Sequence, residues 1–158
     1  MLVFLWMIVI FLFSSMDATE SNTKSKGTID KVIDETIKEA EKAGFDQKIT
    51  EEKKKEVVEK LNLPLRKIMH AGVYFVLSLL IINALIISNF KIFFAFFLTL
   101  ILSFTYACTD EYHQTLVEGR TGQFLDVVID LSGAFIGASV YGIGYTIYKK
   151  KKVQYENN

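Results

Sequence analysis

Apolar residues along this chain gather into four runs separated by charged segments. Leu2–Phe13 is a run of 12, and Ile68–Ile87 covers 20 positions interrupted by His70, Ser78 and Asn83. Ile92–Cys108 covers 17, and Phe124–Tyr148 covers 25, interrupted by Asp126 and Asp130. A helix needs about 20 apolar residues to cross roughly 30 Å of hydrocarbon. The last three runs satisfy that. The first reaches a marginal length only if Met1 and Ser14–Met16 lie at head-group depth. A cleaved signal peptide fits it less well. No Lys or Arg precedes the run, and Ser-Ser-Met-Asp-Ala is a poor cleavage stretch. A short first span, or a start that misses a few upstream residues, is the better reading. The pattern therefore predicts an all-α polytopic membrane protein. It is a four-helix transmembrane bundle with spans near 2–16, 68–87, 91–108 and 124–148, in a single domain over residues 1–158.

The charged loop 17–67 has its own helical pattern. Ile29, Val32, Ile33, Ile37 and Ala40 recur at helical spacing behind an N-cap candidate, Thr28, with Gly44 placed to end the helix. Thr50, followed by Glu51 and Glu52, opens a second helix with Val57, Val58 and Leu61 as its stripe, and Pro64 is expected to stop it. This short amphipathic segment between spans one and two either lies on the bilayer surface or the bundle, or forms a solvated helical hairpin.

Charge narrows the class. With 18 basic and 18 acidic residues the net charge is zero, and a nucleic-acid partner, which requires a basic face, is excluded. One cysteine rules out an intramolecular disulfide framework and a multi-thiolate zinc site. No spacing matches a metal motif, and no metal or other cofactor is expected. Lys149–Lys152 follow the last run directly, which by the positive-inside rule places the C-terminus in the cytoplasm. Four spans then bring the N-terminus there too and put 17–67 and 109–123 outside. Against this stand 12 Lys or Arg between residues 17 and 67, interleaved with 12 acids.

Ionisable groups inside a membrane are costly, about 2.5–3.5 kcal/mol each at mid-helix, so those present are functional candidates. His70 lies one turn into the second span. Asp110, Glu111, His113 and Gln114 stand at the exit of the third, and Arg120 is in the following loop. Asp126 and Asp130 occupy the first two turns of the fourth. All these positions fall at one membrane face. Lys67, His70 and Tyr74 share a helical face, as do Asp126 and Asp130 with Gly133 and Gly137 below them. Gly133-Ala-Phe-Ile-Gly137 is also a small-xxx-small pattern that lets a second helix approach closely. Capping explains Asp126 as well as function does, but not Asp130, about 9 Å deeper than Phe124. An ion pair with Lys67 or Arg120 would account for it. Asn83 reads as an interhelical hydrogen bond, and Cys108 as inert.

At these residues the chain resembles the VanZ-like family of small bacterial membrane proteins. Residues 109–133, TDEYHQTLVEGRTGQFLDVVIDLSG, are similar to that family's Asp-Glu-x-His-Gln, Gly-Arg and Asp-x-x-x-Asp/Asn-x-x-Gly pattern. Arg66-Lys67-Ile-Met-His70 with Tyr74 resembles its Arg-Lys-x-x-His element, and Phe13-Ser-Ser its first-span ending. Three positions depart from the pattern. Val73 stands where the family often has an acid, Glu118 where it often has Pro before Gly-Arg, and Met16 where Gln is usual. The first removes any role for a carboxylate there, and the second loosens the loop. The resemblance implies an association with low-level teicoplanin resistance and supplies no mechanism.

Three functions compete at this point. The polar residues could form a binding site of an envelope accessory module, with Arg120 and Lys67 on the phosphate or carboxylate of a membrane lipid or lipid-linked precursor. They could form a membrane enzyme, with His70 as general base, Glu111 or Asp126 as its partner and Arg120 stabilising charge. They could instead be a fixed ion-pair network holding the bundle together, including within a homo-oligomer.

Overall fold

The structure is a computed structural model and describes residues 1–15, 18–43, 50–117 and 122–156. These form five helices: α1 (Leu2–Ser14), α2 (Ala18–Lys42), α3 (Glu51–Ile87), α4 (Ile92–Gln114) and α5 (Phe124–Glu156). Three of them, α3, α4 and α5, are long and apolar enough to cross a membrane. The four-span expectation is therefore corrected to three. The 13 residues of α1 rise only about 20 Å, short of the roughly 30 Å of a bilayer core. It instead lies against the other helices. The Trp6 indole N–H donates to the Val73 carbonyl at 2.9 Å, and the Tyr106 hydroxyl donates to the Met7 carbonyl at 2.6 Å.

Helices α3 and α5 are parallel neighbours, with α4 returning the chain between them. Contacts climb both helices together: Ala71 beside Gly133, Phe75 and Ser78 beside Gly137, and Tyr141 donating to Asn83 at 2.8 Å. The buried faces are built from small or flat residues. Ser78, Ala95, Thr99, Ser103, Ala107, Ala134 and Ala138 are all fully buried. Small side chains allow the backbones to close on one another where lipid offers no hydrophobic drive to associate. Phenylalanine, leucine and isoleucine side chains face outward along α1, α4 and α5, as a lipid solvent requires.

Pro64 does not stop a helix. It sits inside α3, which runs unbroken for 37 residues. Proline in a helix interior costs about 3 kcal/mol, and here tertiary contacts on both sides offset it. Val58 is buried before it, and the Arg66 guanidinium after it donates to Asn22 of α2 at 3.0 Å. Thr28 does not cap α2 either, because the helix begins ten residues earlier, at Ala18. Its hydroxyl donates to the Lys24 carbonyl at 2.9 Å instead. Thr50 does cap α3, accepting from the Lys53 N–H at 3.5 Å. Gly44 lies outside the described residues.

Helix α2 and the membrane-distal half of α3 form an antiparallel hairpin. Its interior is Ile29 and Val58, and its flanks are ion pairs. Lys26 meets Glu59 at 2.5 Å, and Lys54 meets Asp30 at 3.0 Å and Asp34 at 2.7 Å. The hydrogen bond to Asp34, and next that to Asp30, hold the Lys54 ammonium above the ordinary lysine range. A raised lysine pKa stabilises the fold wherever the unfolded lysine is protonated, below about pH 10.4, and that contribution fades as pH rises further. Spin labels at positions 31 and 55 are therefore expected to keep their separation up to about pH 10 and to spread above it. Lys54→Met should remove the pH dependence and lower stability only slightly, because the Asp30 and Asp34 carboxylates it meets are half-exposed. Unchanged high-pH spreading in Lys54→Met would assign it to another group.

The α3–α4 turn is closed by a hydrogen-bond pair that lets the chain reverse within four residues. The Phe90 N–H donates to the Leu85 carbonyl and the Asn89 N–H to the Ile86 carbonyl, both at 3.0 Å. Asn89 is left-handed at φ 65°, which asparagine tolerates better than other non-glycine residues.

Candidate functional site

The polar residues meet at the end of the bundle where α3 enters, α4 leaves and α5 enters. Close α3–α5 contact sets their spacing. Gly133 leaves no room for a Cβ against the Ala71 backbone, so side chains one and two turns above reach across. The Lys67 ammonium lies 3.9 Å from an Asp126 carboxyl oxygen, both about one-third exposed. One turn deeper, His70 Nδ1 lies 3.8 Å from an Asp130 carboxyl oxygen. Asp130 is 1% exposed, and its ion-pair neighbour among the described residues is His70 rather than Lys67. At 3.8 Å the two are not hydrogen-bonded, and Asp130 Oδ1 has no hydrogen-bond partner among the described residues. Its carboxyl is also within electrostatic reach of Asp110, Glu111 and Asp126.

Helix α4 does not end at Cys108 but continues through Gln114, which places Asp110, Glu111 and Gln114 on the helix itself, all buried. The Gln114 amide donates to Asp110 at 3.3 Å. Glu111 accepts the Gln123 backbone N–H at 2.6 Å, one residue before α5 begins. That bond fixes where α5 starts and hence where Asp126 and Asp130 face. Tyr74, one turn below His70, is fully buried with its ring 6.2 Å from that of Tyr106. Its hydroxyl has no hydrogen-bond partner among the described residues, a costly state for a buried donor. His113 points elsewhere, its ring 4.5 Å from that of Phe11. Arg120 lies outside the described residues.

Beside this cluster is a cavity of about 250 Å³ where α1, α2, α3 and α4 meet. Its walls divide by chemistry. Ile10, Phe13, Leu65, Met69 and Val73 make one side apolar, while Lys24, Arg66, His70 and Asp110 bring charge. His70 and Asp110 border both the cavity and the carboxyl cluster. Lys67, Tyr74, Glu111, Gln114, Asp126 and Asp130 are not among the lining residues. Sequence reasoning missed Lys24 and Arg66 as site residues. The Arg-Lys-x-x-His element contained the signal for Arg66. None existed for Lys24, which arrives only because α2 folds back along α3.

The arrangement can hold an amphipathic molecule with an anionic head, and it sets a histidine against a buried acid. Among the described residues no group of three or more His, Cys, Asp or Glu is placed to hold a metal ion. No curated protein and no solved structure matches the chain. The profile of the VanZ/LLP1 family matches residues 1–145, which cover the first three apolar runs, the fourth as far as Tyr145, and every polar residue described above except those of the C-terminal tail. With three membrane-length helices behind the match, the chain is a membrane protein that belongs to the VanZ/LLP1 family.

Proposed function

We propose that this protein is an accessory binding module of the bacterial cell envelope. Its polar cavity takes the anionic head of a membrane lipid or lipid-linked precursor, with low-level teicoplanin resistance as one consequence. The observation that carries this reading is the cavity's division into an apolar wall and a charged rim in which Lys24, Arg66 and His70 outnumber the one acid, Asp110. Arg66 offers a planar fork suited to phosphate or carboxylate, and Lys24 and His70 add further donors. Ile10, Leu65, Met69 and Val73 suit the first methylenes of a tail. In this reading Glu111 organises the site through Gln123 rather than touching the ligand. By the positive-inside rule, the C-terminal lysines support a cavity on the outer face.

The test is teicoplanin and vancomycin susceptibility of a sensitive Gram-positive host carrying wild type, Arg66→Gln or His70→Gln at matched expression. Wild type is expected to raise teicoplanin tolerance selectively, and both variants to return it to baseline. A tolerance that survives both substitutions in folded protein would remove the cavity from the explanation.

A second reading, a membrane enzyme acting on a lipid-linked envelope substrate, is favoured by the His70–Asp130 pair, since a histidine 3.8 Å from a buried acid needs only a small approach to form the hydrogen-bonded pair of a general base. Lipid extracts separate the two. A binder returns its lipid unchanged, whereas an enzyme alters the pool and His70→Gln restores it.

A further inference from the structure

The opposite end of the bundle carries a different site. Among the described residues the one acidic side chain at this end is Glu156, and it pairs with Lys152 at 3.8 Å. Lys91, at the start of α4, and Lys149 and Lys150, on α5, converge on an open cleft of about 630 Å³ that also includes Asn89 and Tyr145. The Asn89 reversal brings Lys91 to the cleft, because it turns α4 back beside α5 within four residues of α3. Among the described residues no side-chain carboxylate pairs with these three ammonium groups.

A second cleft, of about 610 Å³, shares Asn89, Phe90 and Lys91 with the first. It continues down α4 past Phe94, Phe97, Leu98 and Ile101. Those four positions follow i, i+3, i+4, i+7 spacing and form one stripe on the helix. Lys91 stands one turn above Phe94 on the same stripe. The stripe runs about 10 Å from Phe94 into the apolar part of α4. Three of its side chains are well exposed, Phe94 at 61%, Phe97 at 49% and Ile101 at 60%.

From this juxtaposition we propose that the C-terminal end of the bundle binds one anionic phospholipid, its phosphate between Lys91, Lys149 and Lys150 and one acyl chain along the Phe94–Ile101 stripe. The continuity of the two clefts is what selects a lipid over a free anion. A free phosphate would use the lysines and leave the stripe idle. Basic pockets at helix ends beside a bilayer attract anionic head groups, each lysine adding to the attraction. Tyr145 lies at the depth where aromatic side chains favour the interface. The site is at the other membrane face from the His70 cavity, so it stands whatever that cavity binds.

The experiment is native mass spectrometry of the full chain released from vesicles of phosphatidylcholine and phosphatidylglycerol mixed in a 1:1 ratio, about the simplest composition that offers charged and neutral heads on equal terms. Wild type is expected to retain phosphatidylglycerol preferentially, one molecule of it per chain at this cleft. Lys91→Gln with Lys149→Gln should reduce that retention about tenfold. Lys151→Gln with Lys152→Gln removes the same charge outside the cleft and should change it less than about twofold. Leu98→Trp, which fills the stripe without altering charge, should also reduce it. Equal loss in the two lysine pairs, or no preference over phosphatidylcholine, would overturn the proposal in favour of diffuse surface charge. Displacement by millimolar inorganic phosphate with Leu98→Trp unaffected would overturn it in favour of a free-anion site. His70→Gln reports any lipid held in the other cavity, so the loss that counts here is the one produced by Lys91→Gln with Lys149→Gln and not by His70→Gln.

Discussion

Gly133→Ala is expected to destabilise the bundle severely, by about 3 kcal/mol or more, whereas Gly142→Ala stabilises it by about 0.5–1 kcal/mol. The two substitutions add the same methyl to the same helix. At position 133 a Cβ falls on the carbonyl of Ala71, which is backbone and moves only if α3 moves. At position 142 nothing lies within 4 Å, and alanine brings only its better helix propensity. Gly137→Ala is expected to resemble Gly133→Ala, because its Cβ meets the Phe75 carbonyl and the Ser78 hydroxyl. Thermal melts of the purified chain in detergent measure all three. Similar melting temperatures for the alanine variants at 133 and 142 would mean that α3 and α5 are not held at this distance. The effect also reaches the polar site. The Lys67–Asp126 and His70–Asp130 distances depend on the same approach, so a milder variant that survives folding should lose function too.

What the sequence made legible, and what it hid, divides along local and tertiary lines. Helices α3, α4 and α5 were legible because an apolar run of membrane length has few alternatives to a helix. The pairing of Asp126 and Asp130 with the Lys67–His70 face followed from two helical spacings and the shared membrane face. The His70 neighbour of Asp130 did not, since Lys67 looked equally able and only the register of α3 against α5 gives Lys67 to Asp126 and His70 to Asp130; Arg120 lies outside the described residues. Pro64 misled because a local breaker was weighed without the hairpin contacts that hold both sides of it. Thr28 misled for a related reason, as threonine in mid-helix satisfies its hydroxyl on the carbonyl four residues back. For α1 the run of 12 apolar residues was visible, and simple length arithmetic separates it from the spans. The cavity was invisible, because its Lys24 side comes from the fold-back of α2, which no local pattern encodes.

Asp130→Asn is expected to preserve or raise thermal stability while abolishing the teicoplanin tolerance proposed for the protein, and His70→Ala to lower stability. The asymmetry follows from burial. Asp130 is almost wholly enclosed, and a buried carboxylate is tolerated when a cation or donor faces it. Removing His70 takes away that partner and strands the acid. Asparagine keeps the shape of Asp130 and removes the charge, so the same loss of His70 then matters little. The double-mutant cycle should return a coupling of about 1–3 kcal/mol between positions 70 and 130. The half-exposed Lys67–Asp126 pair should return less than about 1 kcal/mol. If His70→Ala costs the same in both backgrounds, the two side chains do not interact and the 3.8 Å separation carries no energy. If Asp130→Asn destabilises the fold, the acid is a structural anchor and the network reading gains. A stable, inactive Asp130→Asn protein would instead mean that an acid disfavoured by its surroundings is kept for what it does to a ligand. That outcome is the one expected if His70, which borders both the cavity and the carboxyl cluster, is held in place by Asp130 for contact with the bound head group.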